Sequence, residues 1–591
     1  MTPPKLLISL YWHMHQPDYR DSITNDYVLP WTYLHAIKDY SDMAFHLEHN
    51  VKARVSFNFV PILLDQLEDY TAQFKAKKMR DPLLALLGQN SLNGLNADQC
   101  QLIVESCFKS HHENMLSPYA QYRRLLNLYQ IASAISDAPA EGSDLQYFSA
   151  QYKADLLVWY HLAWMGESIK INNKLVQSLI TKGSHFTLTD RLALFNLIGE
   201  IISNLIPRYK ALMQKRQIEI SSTPHQHPIL PLLLDFNSAL DAMPNASLPA
   251  NTHYAGGKAR AINHVQAAQA SHKRRFGTAP VGMWPAEGAV SKDSLLLMAK
   301  QGVRWAASGE GVLTNSLRKS HPEKTLVSRH EYLYRPYKVG AGQDEIVCFF
   351  RDDRLSDKIG FEYSKMHSTD AVRDFIRDLE HIYNTYQKPE NPVVSVILDG
   401  ENAWEYYPYN GYYFLTELYQ ALANHPNIEM VTQSEIVEAV GHPAESAYKI
   451  SCETLPNIAA GSWVYGSLST WIGSADKNRG WDLLCDAKKI YDSVISAGQL
   501  NAKEVQQCEA QLSVCEGSDW FWWLGDYNAA GSASSFDQLY RRNLSNLYLL
   551  LKQPVPASLA SPINQTDTAP AANDGLSAIV ATGAMKRGAE N

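Results

Sequence analysis

The apolar positions of this chain fall into two rhythms. Short runs that are apolar almost throughout recur at Leu6–Tyr11, Arg54–Val60, Ile218–Ser221, Val281–Trp284, Val303–Ala307, Ile346–Phe350, Val393–Leu398 and Ile428–Val431. Short apolar runs of this kind fit strands covered on both faces. Helical stretches lie between them, and strands alternating with helices predict a parallel sheet, either open or rolled into a barrel. Residues 62–216 hold no convincing strand and read as a large helical insertion between early strands.

From about residue 435 the pattern turns helical, most clearly at Leu483–Ala497, Ala502–Val514 and Phe536–Leu551. The expected organisation is an α/β domain over 1–434, a helical domain over 435–552 and a tail over 553–591. That tail has no aromatic residue and is rich in Pro, Ala, Ser, Asn and Thr, a composition expected to be disordered.

The 591 residues suffice for two or three domains, and 45% apolar with 19% charged residues is ordinary for a globular chain. A net charge of −8 and the absence of a long Lys/Arg run argue against a nucleic-acid-binding surface. Seven scattered cysteines without a CxxC pair suit reduced thiols in a cytoplasm. The first apolar run passes straight into His13 without a small-residue cleavage site, so it reads as a strand and not as a signal peptide. No apolar run reaches the ~18 residues of a membrane span.

The unusual residues collect where the apolar runs end. The first run is followed by His13-Met14-His15-Gln16-Pro17 and the third by "SSTPHQHPILPLL", with His225 and His227. The fourth leads into "GMWPAEGAV", with Trp284 and Glu287, and the seventh into "LDGENAWEYY", with Asp399, Glu401 and Trp404. Parallel α/β folds gather functional groups at the C-terminal ends of their strands, so these segments are expected to converge.

Two carboxylates placed in different environments can serve as nucleophile and general acid in glycoside hydrolysis, and Glu287 and Asp399 are the candidates. Singly, either could equally cap a helix or join an ion pair. The HxH pair of His13 and His15 admits three readings: a zinc chelate, contacts to sugar hydroxyls, or a structural cluster. The zinc reading could draw on His225, His227 and Asp399, and it would make the chain a metal-dependent amidohydrolase. It leaves no task for "WPAEG" or for the tryptophan-rich segments. Those segments are "GSWVYGSLSTWIG", with Trp463, and "SDWFWWLGDYN", with Asp519, Trp520, Trp522 and Trp523. Aromatic rings can stack on pyranose faces or form a packing seam between domains.

Taken together, the motifs resemble glycoside hydrolase family 57. Its five short regions can be matched in order: "HMHQP" (His13, His15, Gln16); "QIEISSTPHQHPILPLL" (Glu219, His227); "GMWPAEG"; "LDGENAWE"; and "EGSDWFWWLGD". The resemblance implies an incomplete (β/α)7 barrel carrying the helical insertion and the C-terminal helical domain. It implies a retaining mechanism with Glu287 as nucleophile and Asp399 as acid/base, and neither a catalytic metal nor a cofactor. Expected substrate-binding residues are His13, His15, Gln16, Glu219, His227, Trp284, Glu401, Trp404, Trp463, Asp519, Trp520 and Trp523. Among the tryptophans, Trp520 and Trp523 are expected at the groove. The motif forms look most like the amylopullulanase and α-amylase side of the family. The expected partner is therefore an α-glucan cleaved at α-1,4 bonds, with α-1,6 bonds a further candidate. A 4-α-glucanotransferase with the same site stays open at this point.

Overall fold

The computed structural model describes residues 4–135, 148–323, 328–525, 528 and 530–564. Its strands are β1 (Leu6–Met14), β2 (Val55–Phe59), β3 (Ile218–Ser222), β4 (Trp305–Ser308), β5 (Tyr337–Val339), β6 (Ile346–Phe350), β7 (Val393–Asp399), β8 (Ile428–Met430) and β9 (Glu453–Thr454). All nine residues of β1 are buried, because the strand is covered on both faces and is also paired on both edges. β7 runs parallel along it from Leu7 to His13. Along its other edge the first residues pair with β8 and the last ones with β2.

Continuous ladders form two sheets, β3-β2-β1-β7 with β8 beside β1, and β4-β6-β5-β9. Single parallel bridges join them at Ser222 to Met283, Gly282 to Trp305 and Arg351 to Ser395. Seven parallel positions thus follow one another around a ring, with single bridges in place of ladder at its junctions. That is the incomplete (β/α)7 barrel the motifs implied. The expected strand at 281–284 survives only as two bridges. Pro280 and Pro285 bracket it without N–H donors. Gly282 sits so close to Trp305 that an added Cβ would lie 1.9 Å from the indole.

Period-two alternation sorts the barrel residues. Leu6, Ile8, Leu10, Trp12 and Met14 belong to the large core under the surrounding helices. Leu7 and Tyr11 join Trp284, Trp305, Phe349, Val393 and Ile397 in a second core that fills the barrel interior. The helix Gln433–Gly441 adds Ile436 and Val437 to that core and closes the floor. The same parity carries His13 and Asp399 to the inner side, one step above Tyr11 and Ile397.

Between β2 and β3 the described residues are helical, from Pro61–Ala76 to the long Leu188–Gln214. The C-terminal bundle consists of Ala475–Ser496, Ala502–Cys515, Asp519–Trp523 and Ala530–Leu550. The floor helix runs to Gly441 and packs on the barrel core, and the helices of the bundle begin at Ala475. Residues 553–564, expected as part of a disordered tail, pack on this bundle. Leu559 and Ile563 are buried, and the Ile563 N–H donates to Asp537. The remainder of that tail lies outside the described residues. Among the described residues no helix is long and apolar enough to cross a membrane.

Candidate active site

The barrel mouth is built by strand ends at matching height. His13 is the Cα partner of Asn58 on one side and of Asp399 on the other. Its Nδ1 lies 2.6 Å from the Asn58 Oδ1, which also accepts from Thr223, while the Asn58 amide donates to Ser221. A polar belt therefore runs across β1, β2 and β3 directly above the apolar interior. Arg351 follows β6 and donates to the Ile397 carbonyl, so its buried guanidinium is anchored to the strand that carries Asp399. Its guanidinium also lies over the Trp463 ring, 5.7 Å from the centroid.

Glu287 reaches the mouth from a tight turn after the single bridges. Its backbone is left-handed, φ 58°, a conformation unfavourable for a residue with a Cβ. Gly288 follows, also at positive φ, and Ser308 donates to its carbonyl at 2.6 Å. The Glu287 carboxylate is buried: Oε2 accepts from the Trp463 indole at 3.1 Å, and Oε1 lies 3.9 Å from Nδ1 of His227. His227 shares the left-handed backbone, also at φ 58°. Trp284 is fully buried beneath this turn and packs against Tyr11, His13 and Trp463.

The helical domain completes the site at the Ser518–Asp519 turn. His15 Nε2 lies 2.8 and 3.0 Å from the two Asp519 carboxylate oxygens, and His227 Nδ1 lies 2.7 Å from the Ser518 hydroxyl. The rings of His13, His15 and His227 stack, with His15 and His227 only 3.8 Å apart between centroids. Glu401 accepts from the His15 backbone N–H at 3.1 Å and from the Gln16 amide at 3.3 Å. Among the described residues, one group offers three metal-type ligand atoms within 4.8 Å of one another: His15, His227 and Asp519. His13 is not in it, so the HxH pair is not a chelate, and His225 pairs instead with Asp65 at 3.1 Å.

Burial dominates the electrostatics. Desolvation pushes Asp399 up to about 6, opposed by the Asn402 amide and by the charges of His15 and Arg351. Glu287 is pushed well above the usual carboxylate range by burial, and then by the charges of Asp399 and Asp519. The charge of Asp399 thus adds to burial in favouring the protonated form of Glu287. Burial raises Glu401 likewise, with Asp399 adding to it. His13 is lowered to about 3 and His227 well below its usual value, both chiefly by burial, so these imidazoles are neutral.

Not every expected residue comes to the mouth. Glu219 points into the barrel but sits two residues below Ser221, a layer down. There it accepts from the Trp305 indole and from Ser434, whose backbone N–H lies in the first turn of the floor helix. Its carboxylate is thus spent on the barrel floor. Trp404 is buried against Trp12, with its indole N–H on the Gly400 carbonyl. Trp520 and Trp523, expected at the groove, stack on Tyr540 and Phe536 inside the helical domain. The half-buried ring of that cluster is Trp522. Conversely, Asn58, Arg351, Asn402 and Ser518 were not anticipated. Asn58 and Arg351 carry a usable signal, each a lone polar residue inside or just after an apolar strand.

The family model for glycosyl hydrolase family 57 matches residues 9–451. No curated protein matches the chain. A branching enzyme of that family from Thermococcus kodakaraensis superposes with a TM-score of 0.55 at 13% identity, over 94% of this chain and 93% of that one. The α-amylase AmyC of Thermotoga maritima gives 0.52 at 12%, over 93% and 94%. A branching enzyme from Pyrococcus horikoshii gives 0.53 at 13%, over 94% and 96%. These likenesses establish a shared fold over nearly the whole length of each chain.

Proposed function

The chain belongs to glycosyl hydrolase family 57, and on that premise we propose that it is an α-glucan-active retaining enzyme whose reacting pair is Glu287 and Asp399. The observation that carries this reading is the pair itself. A buried carboxylate, Glu287, and a half-buried one, Asp399, stand at one barrel mouth, and the charge of the second adds to the raised pKa of the first. In the first half-reaction Glu287 attacks the anomeric carbon while Asp399 gives its proton to the departing glycosidic oxygen. In the second, Asp399 as carboxylate takes a proton from the acceptor, which attacks the glycosyl-enzyme and frees Glu287. The Trp463 indole holds the nucleophile's second oxygen, and the rings of His13, His15 and His227 offer partners to sugar hydroxyls.

With water as acceptor the enzyme is an amylase- or amylopullulanase-type hydrolase of α-1,4 and α-1,6 bonds. With a sugar hydroxyl it is a glucanotransferase built on the same site. The seven cysteines are all free, and this supports placement in a reducing cytoplasm.

The test is a time course with maltoheptaose followed by proton NMR and chromatography. Shorter maltodextrins appearing first as the α-anomer are expected from the wild type, with Glu287→Gln and Asp399→Asn inactive. A β-anomeric first product would overturn the retaining assignment. Longer oligosaccharides without new reducing ends would replace hydrolysis by transfer, and unchanged turnover in Glu287→Gln would remove Glu287 from the chemistry.

A further inference from the structure

We propose that His15, His227 and Asp519 form a binding site for a single zinc-type dication. The three donors come from segments far apart in the chain: the exit of β1, the loop after β3, and the first turn of Asp519–Trp523. Their ligand atoms nevertheless lie within 4.8 Å of one another. Two imidazole nitrogens and one carboxylate oxygen make a donor set suited to zinc, leaving a fourth tetrahedral position for water or a hydroxyl.

A second observation points the same way. His227 is completely buried, and its Nε2 has no hydrogen-bond partner among the described residues. Its other nitrogen is engaged, since Nδ1 lies 2.7 Å from the Ser518 hydroxyl. The tautomer that donates from Nδ1 to the Ser518 hydroxyl leaves a bare lone pair on Nε2. An imidazole oriented by a hydrogen bond at one nitrogen and free at the other is how proteins present histidine to a metal. The Ser518 N–H also donates to the His227 carbonyl at 2.9 Å, fixing the loop to the turn that carries Asp519. His15 and Asp519 already touch at 2.8 Å. Zinc bonds of about 2.0–2.2 Å set tetrahedral ligands about 3.3 Å apart, so the His15–Asp519 contact opens slightly when a metal replaces the shared proton, and the stacked His15 and His227 rings turn apart to aim both lone pairs at the ion.

The surroundings favour a cation. Glu287, Asp399 and Glu401 border the cluster, with Arg351 as the cationic group on the other side of Asp399. His13 takes no part, being tied to Asn58. The site is therefore one histidine from each of two segments, which sequence spacing alone does not reveal.

The ion would occupy the place where these imidazoles meet sugar hydroxyls. Zinc then acts as a reversible blocker that competes with the glucan. This consequence rests on the function proposed above, whereas the binding itself does not.

The experiment starts with purified full-length protein stripped with a chelator and titrated calorimetrically with zinc chloride. One zinc per chain is expected. Asp519→Asn and His227→Ala should each weaken binding by about 10- to 100-fold or abolish it, while His225→Ala should bind as the wild type does. Circular dichroism and melting confirm that the variants are folded. In parallel, zinc should raise the apparent KM for maltoheptaose and leave kcat unchanged, and chelator should reverse it. Absence of stoichiometric binding, or binding unaffected by both ligand substitutions, would overturn the site. Activity without zinc binding leaves the hydrolase reading intact and sinks only this proposal. Stoichiometric zinc on a protein inert toward α-glucans upholds the site and sinks the hydrolase reading.

Discussion

The indole N–H of Trp463 donates to Oε2 of Glu287 at 3.1 Å, and the Trp463 backbone N–H donates to the Glu287 carbonyl at 3.3 Å. A segment beyond the region matched by the family model thus holds both the side chain and the backbone of Glu287, the proposed nucleophile. The turn itself is strained, and this double contact opposes its relaxation.

Trp463→Phe tests the side-chain half of that clamp. It keeps an aromatic ring against Trp284 but removes the donor. A hydrogen bond to a charged group contributes about 1.5–3 kcal/mol, so kcat/KM on maltodextrin should fall by about 10- to 100-fold with the melting temperature little changed. Undiminished kcat/KM would mean that the indole contributes nothing to the reacting carboxylate.

Gly288→Ala tests the backbone half. Gly288 lies at φ 57°, and a Cβ there would meet the Trp284 ring at 2.9 Å. Left-handed backbone with a Cβ costs about 1–2 kcal/mol before the clash is counted. We expect a lower melting temperature and a loss in kcat larger than any rise in KM, because the displaced group is the proposed nucleophile. A variant as active and as stable as wild type would show that the turn adapts freely.

Much of this site can be read before folding, and the reasons differ from residue to residue. Asp399 and His13 are legible because each ends a strand whose apolar run states its parity. Glu219 has the right parity too, yet it lies a layer deeper, and no periodic pattern reports depth along a barrel axis. Its use at the floor depends on Ser434 and Trp305, both distant in sequence. The tryptophan cluster fails for a similar reason. Which of Trp520, Trp522 and Trp523 is buried depends on Tyr540 and Phe536, which arrive from a later helix. The strand expected at 281–284 shrinks to two bridges between Pro280 and Pro285, whose missing N–H groups interrupt the ladder.

Trp520 and Trp523 therefore lead to a stability prediction in place of a binding one. Truncating either to alanine should cost about 3–5 kcal/mol of stability, as for other large-to-small changes in packed cores. Thermal melting reads this directly. Activity surviving below the lowered melting temperature should fall equally on short and long maltodextrins. A selective loss on long chains with an unchanged melting temperature would return these rings to the groove.

Glu516 links the helical domain to the barrel and makes stability depend on pH. Its buried carboxylate accepts from Arg260 at 2.8 Å and from Tyr254 at 2.5 Å, and lies 2.7 Å from His264 Nε2. Burial alone would raise its pKa, but the Arg260 charge and the His264 contact overcome this and hold it at about 2, below the ordinary value of 4.5. A depressed carboxylate stabilises the fold fully above its unfolded pKa, and the contribution fades as pH falls from about 4.5 toward about 2. Wild-type denaturant midpoints should therefore drop across that window. Glu516→Gln removes the charge while Arg260 stays buried, which for a buried pair costs about 3–5 kcal/mol at neutral pH. The variant should start lower and show a shallower fall on acidification, with the two curves converging near pH 2. Parallel curves with a constant gap between pH 7 and pH 2 would show that the Glu516 charge is not what the acid titrates.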